Sequence, residues 1–314
     1  MKKIFYFTAS MLLSSALFSC TAGEGVDEQL QNDAQSKGVI DEVYIHAPEL
    51  EFDEPETRGL VYTGNGVPFS WILTDTIGIY PDKGDQLSFS MEKGIGTNDA
   101  VIDGGAWGLK ATSTYGAYYP FSRKNYFAKR DNIILDYTGQ VEDGIANADH
   151  LIAYDYLASN DVKESDGKLT FDMKRLGCIL VLRLTVPQAG TYTALQLKAD
   201  EGEFTTKAKL QLGSTATFTP VEKSEAITMG LKNVTTTQAN QVVEFLIMLA
   251  PVDLSGTMFT VTLKAANGYL YKGNKTPTSA YTAGKVTRTS ITLKLDNSSN
   301  MGFGGEFTTE ESEL

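Results

Sequence analysis

Ile179-Leu-Val-Leu-Arg-Leu-Thr-Val186 carries only two polar residues, Arg183 and Thr185, and they fall between Leu182, Leu184 and Val186. Alternation at period two in a short run rich in Val, Leu and Thr predicts a strand, with one face turned inward. The same grammar recurs outward in both directions. Ser70-Trp-Ile-Leu, Ile77-Gly-Ile-Tyr, Tyr115-Gly-Ala-Tyr-Tyr, Ile133-Ile-Leu-Asp-Tyr and Lys168-Leu-Thr-Phe-Asp-Met precede it. Ala194-Leu-Gln-Leu-Lys-Ala, Val242-Val-Glu-Phe-Leu-Ile-Met-Leu, Met258-Phe-Thr-Val-Thr-Leu and Ser290-Ile-Thr-Leu-Lys-Leu follow. Gly, Asn, Asp and Pro clusters separate these runs, and from Leu60 onward almost no segment keeps a helical period. The expectation is an all-β protein built as β-sandwiches, with a barrel as the alternative. An outer-membrane barrel is disfavoured, because the runs are uneven and lack regular aromatic girdles.

A chain of 314 residues can hold one large or two medium domains. The polar loop Lys163-Glu-Ser-Asp-Gly167 separates an aromatic-rich half from a Thr/Leu-rich half, so the expected division is 59–167 and 168–296, with 297–314 as a tail. Apolar residues at 42% and charged residues at 21% place the bulk of the chain among folded globular proteins. The formal charge of −12 is uneven: residues 20–58 hold eleven acids against Lys37 and Arg58. A negative surface without basic clusters disfavours nucleic acid, whose binding is driven by Lys and Arg displacing counterions. Of the two cysteines, Cys178 sits in the apolar run Leu176-Gly-Cys-Ile-Leu-Val-Leu and reads as a small buried hydrophobe.

The first residues read as an export signal. Lys2 and Lys3 supply a positive start, and Ile4 to Phe18 an apolar stretch too short for a spanning helix. Leu17-Phe18-Ser19-Cys20 then resembles the lipobox of bacterial lipoproteins, with the signal peptide ending at Ser19 and the acyl chains carried by Cys20. Several acyl chains on one residue give the strength that stable anchoring needs. Thr21 after the cysteine resembles lipoproteins sent to the outer membrane. Residues 21–38 have almost no apolar content and are expected to be a solvated tether. Val43 and Ile45, then Leu50 and Phe52 beyond Pro48, alternate with polar neighbours and predict one strand with a kink or edge position at the proline. Asp53-Glu-Pro-Glu-Thr-Arg-Gly59 follows, a polar loop with a single arginine, of the kind proteases cut.

Little in the chain points to catalysis. His46 and His150 are the only histidines, too few for a histidine-based metal site or triad. Glu142 and Asp143 could serve glycoside hydrolysis in principle, but read as ordinary loop acids. No phosphate loop, dinucleotide fingerprint, zinc motif or serine elbow is present, so no enzyme, metal or cofactor is expected. The cluster from Tyr115 to Phe127 has two readings. Aromatics favour half-buried strands, which makes it packing; alternatively Tyr118 and Tyr119 are candidate glycan contacts of a surface lipoprotein that does not polymerise.

Taken in order, several segments resemble the fimbrillin-like proteins of the Bacteroides group, the subunits and relatives of type V pili. They are the lipobox at Cys20; Glu56-Thr-Arg-Gly59 after a short strand; Trp71 followed by Asp75-Thr-Ile-Gly-Ile-Tyr-Pro81; Ala117-Tyr-Tyr-Pro-Phe-Ser122; and Asp136-Tyr-Thr-Gly-Gln140. His150-Leu-Ile-Ala-Tyr-Asp-Tyr-Leu157, Phe171-Asp-Met-Lys-Arg-Leu-Gly-Cys-Ile-Leu180 and Tyr281-Thr-Ala-Gly-Lys285 complete the series.

The resemblance implies two tandem transthyretin-like Greek-key β-sandwich domains. It also implies a lipid-anchored precursor at the outer membrane that becomes part of an extracellular fimbrium. An arginine-specific protease would cut Arg58-Gly59 and remove the strand carrying Val43, Ile45, Leu50 and Phe52. The open groove would then accept a strand from another pilus subunit, which supplies ladder hydrogen bonds and alternate side chains together. Met301, Phe303 and Phe307 fall on one face of an extended tail and form the candidate donor strand, interrupted by Gly305. A subunit whose tail does not donate would sit at the tip, facing a host or bacterial surface ligand, or remain a surface lipoprotein.

Overall fold

The computed structural model describes residues 40–48, 70–103 and 108–296, and the backbone of Glu51–Phe52. Ser19, Cys20, Leu50, Arg58, Gly59, Met301, Phe303, Phe307 and the side chain of Phe52 lie outside the described residues. The chain is all-β: among those residues the only helical turns are the short 3-10 segments Arg123–Asn125 and Asp149–Ala153. Among the described residues its strands form five sheets.

Two of these sheets enclose the first core. In the smaller, Glu42–His46 lies between Lys168–Asp172 and Asp99–Asp103. The larger runs in the order Lys174–Arg175, Leu157–Ala158, Thr114–Tyr119, Thr76–Pro81, Leu87–Ser90. Val43, Ile45, Leu169 and Phe171 from the one meet Ile77, Ile79, Ala117 and Tyr119 from the other. The strand that follows the 163–167 loop therefore packs with the first half, and among the described residues the first side chain of the second core is Cys178.

The second core lies between a four-stranded sheet and a six-stranded one. The four-stranded order is Gln241–Leu249, Cys178–Val186, Lys285–Thr292, Glu51–Phe52. The six-stranded sheet is centred on Phe259–Ala265 and Gly190–Ala199 and ends at Val141–Asp143, a strand contributed by the first half. Leu180, Leu182 and Leu184 point into this core beside Phe245 and Ile247. Cys178 is buried with them, its thiol directed at Leu249 O 3.6 Å away.

A third core joins the two halves. Tyr80 and Tyr118 from the first sheet pair, Ile179 and Val181 from the second, and Ile133, Leu135 and Leu210 from the sheet Thr217–Ser224, Phe204–Gln211, Ile133–Asp136 all pack together. The apolar run at 179–182 now has its physical cause. That part of the strand is covered on both faces, so consecutive residues are buried, and alternation returns at Arg183 where one face meets solvent.

Candidate functional site

The site that the sequence pattern singles out is the strand Glu42–His46. It pairs in parallel with Lys168–Asp172, Val43 opposite Leu169 and Ile45 opposite Phe171. It pairs antiparallel with Asp99–Asp103, Val43 opposite Ile102 and Ile45 opposite Ala100. Backbone bonds extend the slot at both ends, from Asp41 N to Gly167 O at 2.8 Å and from Met173 N to His46 O at 2.9 Å. Val43 and Ile45 are buried, as are Ile40 and Ala47 on either side. Each fully buried β-branched side chain contributes roughly 1.5–3 kcal/mol.

The outward face is held more weakly. Tyr44 donates to Glu42 at 2.7 Å, and Lys168 lies 3.3 Å from the same carboxylate. These contacts hold the Glu42 carboxyl below its usual range, the tyrosine bond acting first and Lys168 second. His46 Nδ1 is 2.6 Å from Asp99 Oδ1, again on the surface. Exposed pairs of this kind add little to stability. The strand is retained by its ladder and its inward side chains.

Beyond Pro48 the chain pairs with a different sheet: Glu51 lies opposite Lys285 and Phe52 opposite Val286, in parallel at the edge of the four-stranded sheet. Where the chain leaves the first sheet it is latched by a residue the pattern did not flag. Buried Arg175 donates from Nη1 to Pro48 O and from Nε to both oxygens of Asp155 at 3.1 Å. Burial pushes the Asp155 carboxyl up, against the pull of Arg175. Arg175 stands inside the 171–180 stretch quoted above, in a two-residue strand opposite Leu157. An arginine set directly before the apolar run that begins at Leu176 was the available signal, because such a group is seldom buried without a partner.

Tyr118 and Tyr119, expected as candidate glycan contacts, are interior residues at 0% and 1% exposure. The Tyr119 hydroxyl donates to Asp75 at 2.8 Å, and its ring meets Trp71 edge-on. The Tyr118 hydroxyl accepts from Gln86 at 2.9 Å. Its ring lies so close over Gly78 that a Cβ there would approach Cε1 to 2.2 Å. A ring with no open face cannot stack on a sugar, so glycan contact is withdrawn from both. The exposed aromatics of the cluster are Tyr126 at 52% and Phe127 at 93%.

Glu142 also differs from its reading as a loop acid. It lies in a strand and is fully buried, accepting from Leu246 N and Asn147 N at 3.0 Å each, while Asp143 projects the other way and accepts from Asn233. Adjacent strand residues face opposite sides, so the two acids share no cleft. With Gln140 and His150, Glu142 covers the outer edge of Gln241–Leu249. Gln140 exchanges two bonds with Met248, at 2.7 and 2.9 Å, and His150 Nε2 lies 3.0 Å from Leu246 O. Side chains thus occupy the ladder positions another strand would use.

Burial pushes Glu142 up to about 8 and pulls His150 below its usual value. Between the ordinary glutamate value of 4.5 and about 8, the folded chain holds a proton that the unfolded chain has released, so stability falls as pH rises. His150 acts oppositely, since charging it on acidification below about 6.5 costs stability. Urea unfolding at pH 6.5 and pH 8 should therefore differ by on the order of 2 kcal/mol, the more alkaline sample being weaker. Glu142→Gln should lower stability by about 1–3 kcal/mol at both values, because one N–H loses its acceptor, and should flatten the difference. An unchanged slope would assign the effect elsewhere.

No family model matches the chain, and no curated protein matches it. Solved structures similar to it include a candidate cell adhesion protein from Bacteroides uniformis, at 15% identity and TM-score 0.46, covering 72% of this chain and 93% of that one. Another from Bacteroides ovatus has 14% identity and TM-score 0.46, covering 82% and 96%. The fimbrial anchor protein Mfa2 from Porphyromonas gingivalis is similar at 10% identity and TM-score 0.33, covering 72% and 78%.

Proposed function

We propose that the chain is a fimbrial subunit or tip adhesin of the type V kind, exported as a lipoprotein through Cys20 and assembled by strand exchange after cleavage at Arg58-Gly59. The observation that carries this reading is the position of Glu42–His46 at the centre of its sheet. A protein whose first strand lies at an edge can lose it and keep a sheet. Here its loss leaves two ladders open, on Lys168–Asp172 and Asp99–Asp103, with a row of apolar sockets between them. An open slot of that form favours an incoming strand with apolar residues at alternate positions.

The same reading takes the chain as two tandem transthyretin-like Greek-key sandwiches, with the removable segment pairing first with one and then, at Glu51–Phe52, with the other. Met301, Phe303 and Phe307 are the candidate donor strand for the next subunit. A tail that does not donate puts the chain at the tip or leaves it a surface lipoprotein. Cleavage is tested on surface-sheared material by mass spectrometry: wild-type chains should begin at Gly59. Arg58→Ala should keep its leader and stay out of fibres, with incorporation reduced by about tenfold or more, the loss of an open slot for the donor. Assembled fibres whose subunits still carry residues 20–58 would sink the mechanism.

A further inference from the structure

Beside the first sheet pair lies a cleft of about 770 Å³, within the size range of small-ligand sites. One wall is the loop after Ser122, which presents Tyr126 and Phe127 with their rings 4.9 Å apart and nearly perpendicular. The facing wall is the turn after Pro81, which presents Asp82 and Asp85; Tyr80, Gln86 and Leu212 also line it.

The aromatic loop is pinned rather than loose. Buried Asn125 exchanges two bonds with Ile134, donating to its oxygen at 2.8 Å and accepting from its nitrogen at 3.0 Å. Leu212 N donates to Arg130 O at 2.8 Å, Arg130 pairs with Asp161 and donates to Pro81 O, and the Tyr80 hydroxyl lies 2.8 Å from Ala128 O. A phenylalanine left 93% exposed on a fixed loop is an apolar face the fold spends nothing to hide. Holding it in place in advance reduces the ordering that a ligand must impose.

The polar groups define what fits. Asp82, Asp85 and Asp131 make no ion pair or side-chain hydrogen bond among the described residues, whereas Arg130 is engaged by Asp161. Ionised carboxylates only accept, so they call for a ligand rich in hydroxyl donors. Three unpaired acids against Lys129 repel an anionic one. Two rings are too small an apolar area for the centre of a protein interface, but match the flat C–H face of a pyranose. We propose that this cleft binds an uncharged sugar, its ring stacked on Phe127 or Tyr126 and its hydroxyls held by Asp82 and Asp85.

The site goes beyond the assembly reading and does not depend on it. The uncut full chain would be screened on an array of hexose-, N-acetylhexosamine- and fucose-terminated oligosaccharides with sialylated counterparts, and hits followed by saturation-transfer NMR and calorimetry. Neutral saccharides should bind, and sialylated ones more weakly. Phe127→Ala and Asp85→Ala should each weaken binding about tenfold or more, a free-energy change of about 1.4 kcal/mol. Phe127→Ala should leave the thermal midpoint unchanged, and the variant should be cut at Arg58 and assemble as wild type, so that failure of binding and failure of assembly are told apart. A blank array at millimolar saccharide overturns the proposal. So does binding that survives both substitutions, or a Phe127→Ala defect confined to self-association.

Discussion

Val43→Asp combined with Ile45→Asp should abolish the fold of the first core. Both positions are at or near zero exposure, in a strand with partners on either side, so each new carboxylate is buried without a counter-charge. An unpaired buried charge costs several kcal/mol, and two together exceed about 5 kcal/mol, the lower end of a domain's whole stability. The expected readout is a collapse of the urea midpoint and loss of hydrogen-exchange protection at Ala100, Ile102, Leu169 and Phe171, whose strands flank the altered one. A synthetic peptide of residues 40–52 with the native sequence should restore that protection in part, because the slot recognises alternation rather than chain connectivity. Protection unchanged in the double variant would mean that this strand is dispensable to its sheet.

Asp155→Ala should destabilise the chain by about 3–5 kcal/mol, the cost of leaving a buried guanidinium without its carboxylate. The pair is tight, with Arg175 Nη2 3.0 Å from Asp155 Oδ2 and Nε 3.1 Å from both oxygens. Asp155→Leu with Arg175→Met should recover most of the loss, since an apolar pair of similar size needs no solvation. It should not recover the bond from Arg175 to Pro48 O. After a cut at Arg58, the double variant is expected to release the leading segment faster than wild type, measured by its appearance in the supernatant. A cost below about 1 kcal/mol for Asp155→Ala would show that the pair behaves as a surface bridge.

What the sequence revealed follows from what a local pattern can encode. Val43 and Ile45 were legible because one strand face turned to a core writes itself as period two. The parallel partner of that strand was not, since Lys168–Asp172 lies more than a hundred residues away and no local signal encodes register across that distance. Its Leu169 and Phe171 alternate as any half-buried strand does, and the polar loop before it suggested a boundary, yet the strand crosses back to the first core. Tyr118 and Tyr119 failed as surface residues for a related reason. Their strand is covered on both sides, Tyr119 facing the first core and Tyr118 the third, so adjacent rings are both interior. The outlying Tyr126 and Phe127 belong to the same aromatic cluster by composition, and only the turn that carries them turns them to water. Glu142 and Arg175 were hidden because each has a second charge beside it, Asp143 and Lys174, and such a pair looks like a solvated turn even when one member is buried and partnered.

The third core has a mechanical corollary. Two sandwiches that touch through a small polar surface swivel about their connection. Here Tyr80 and Tyr118 from one half are packed against Ile179, Val181, Leu246 and Met248 from the other. Separating these side chains would open that packing to water, so the contact between them is not a free swivel. A force that draws them apart must break interlocked side chains before it can extend the chain that links them.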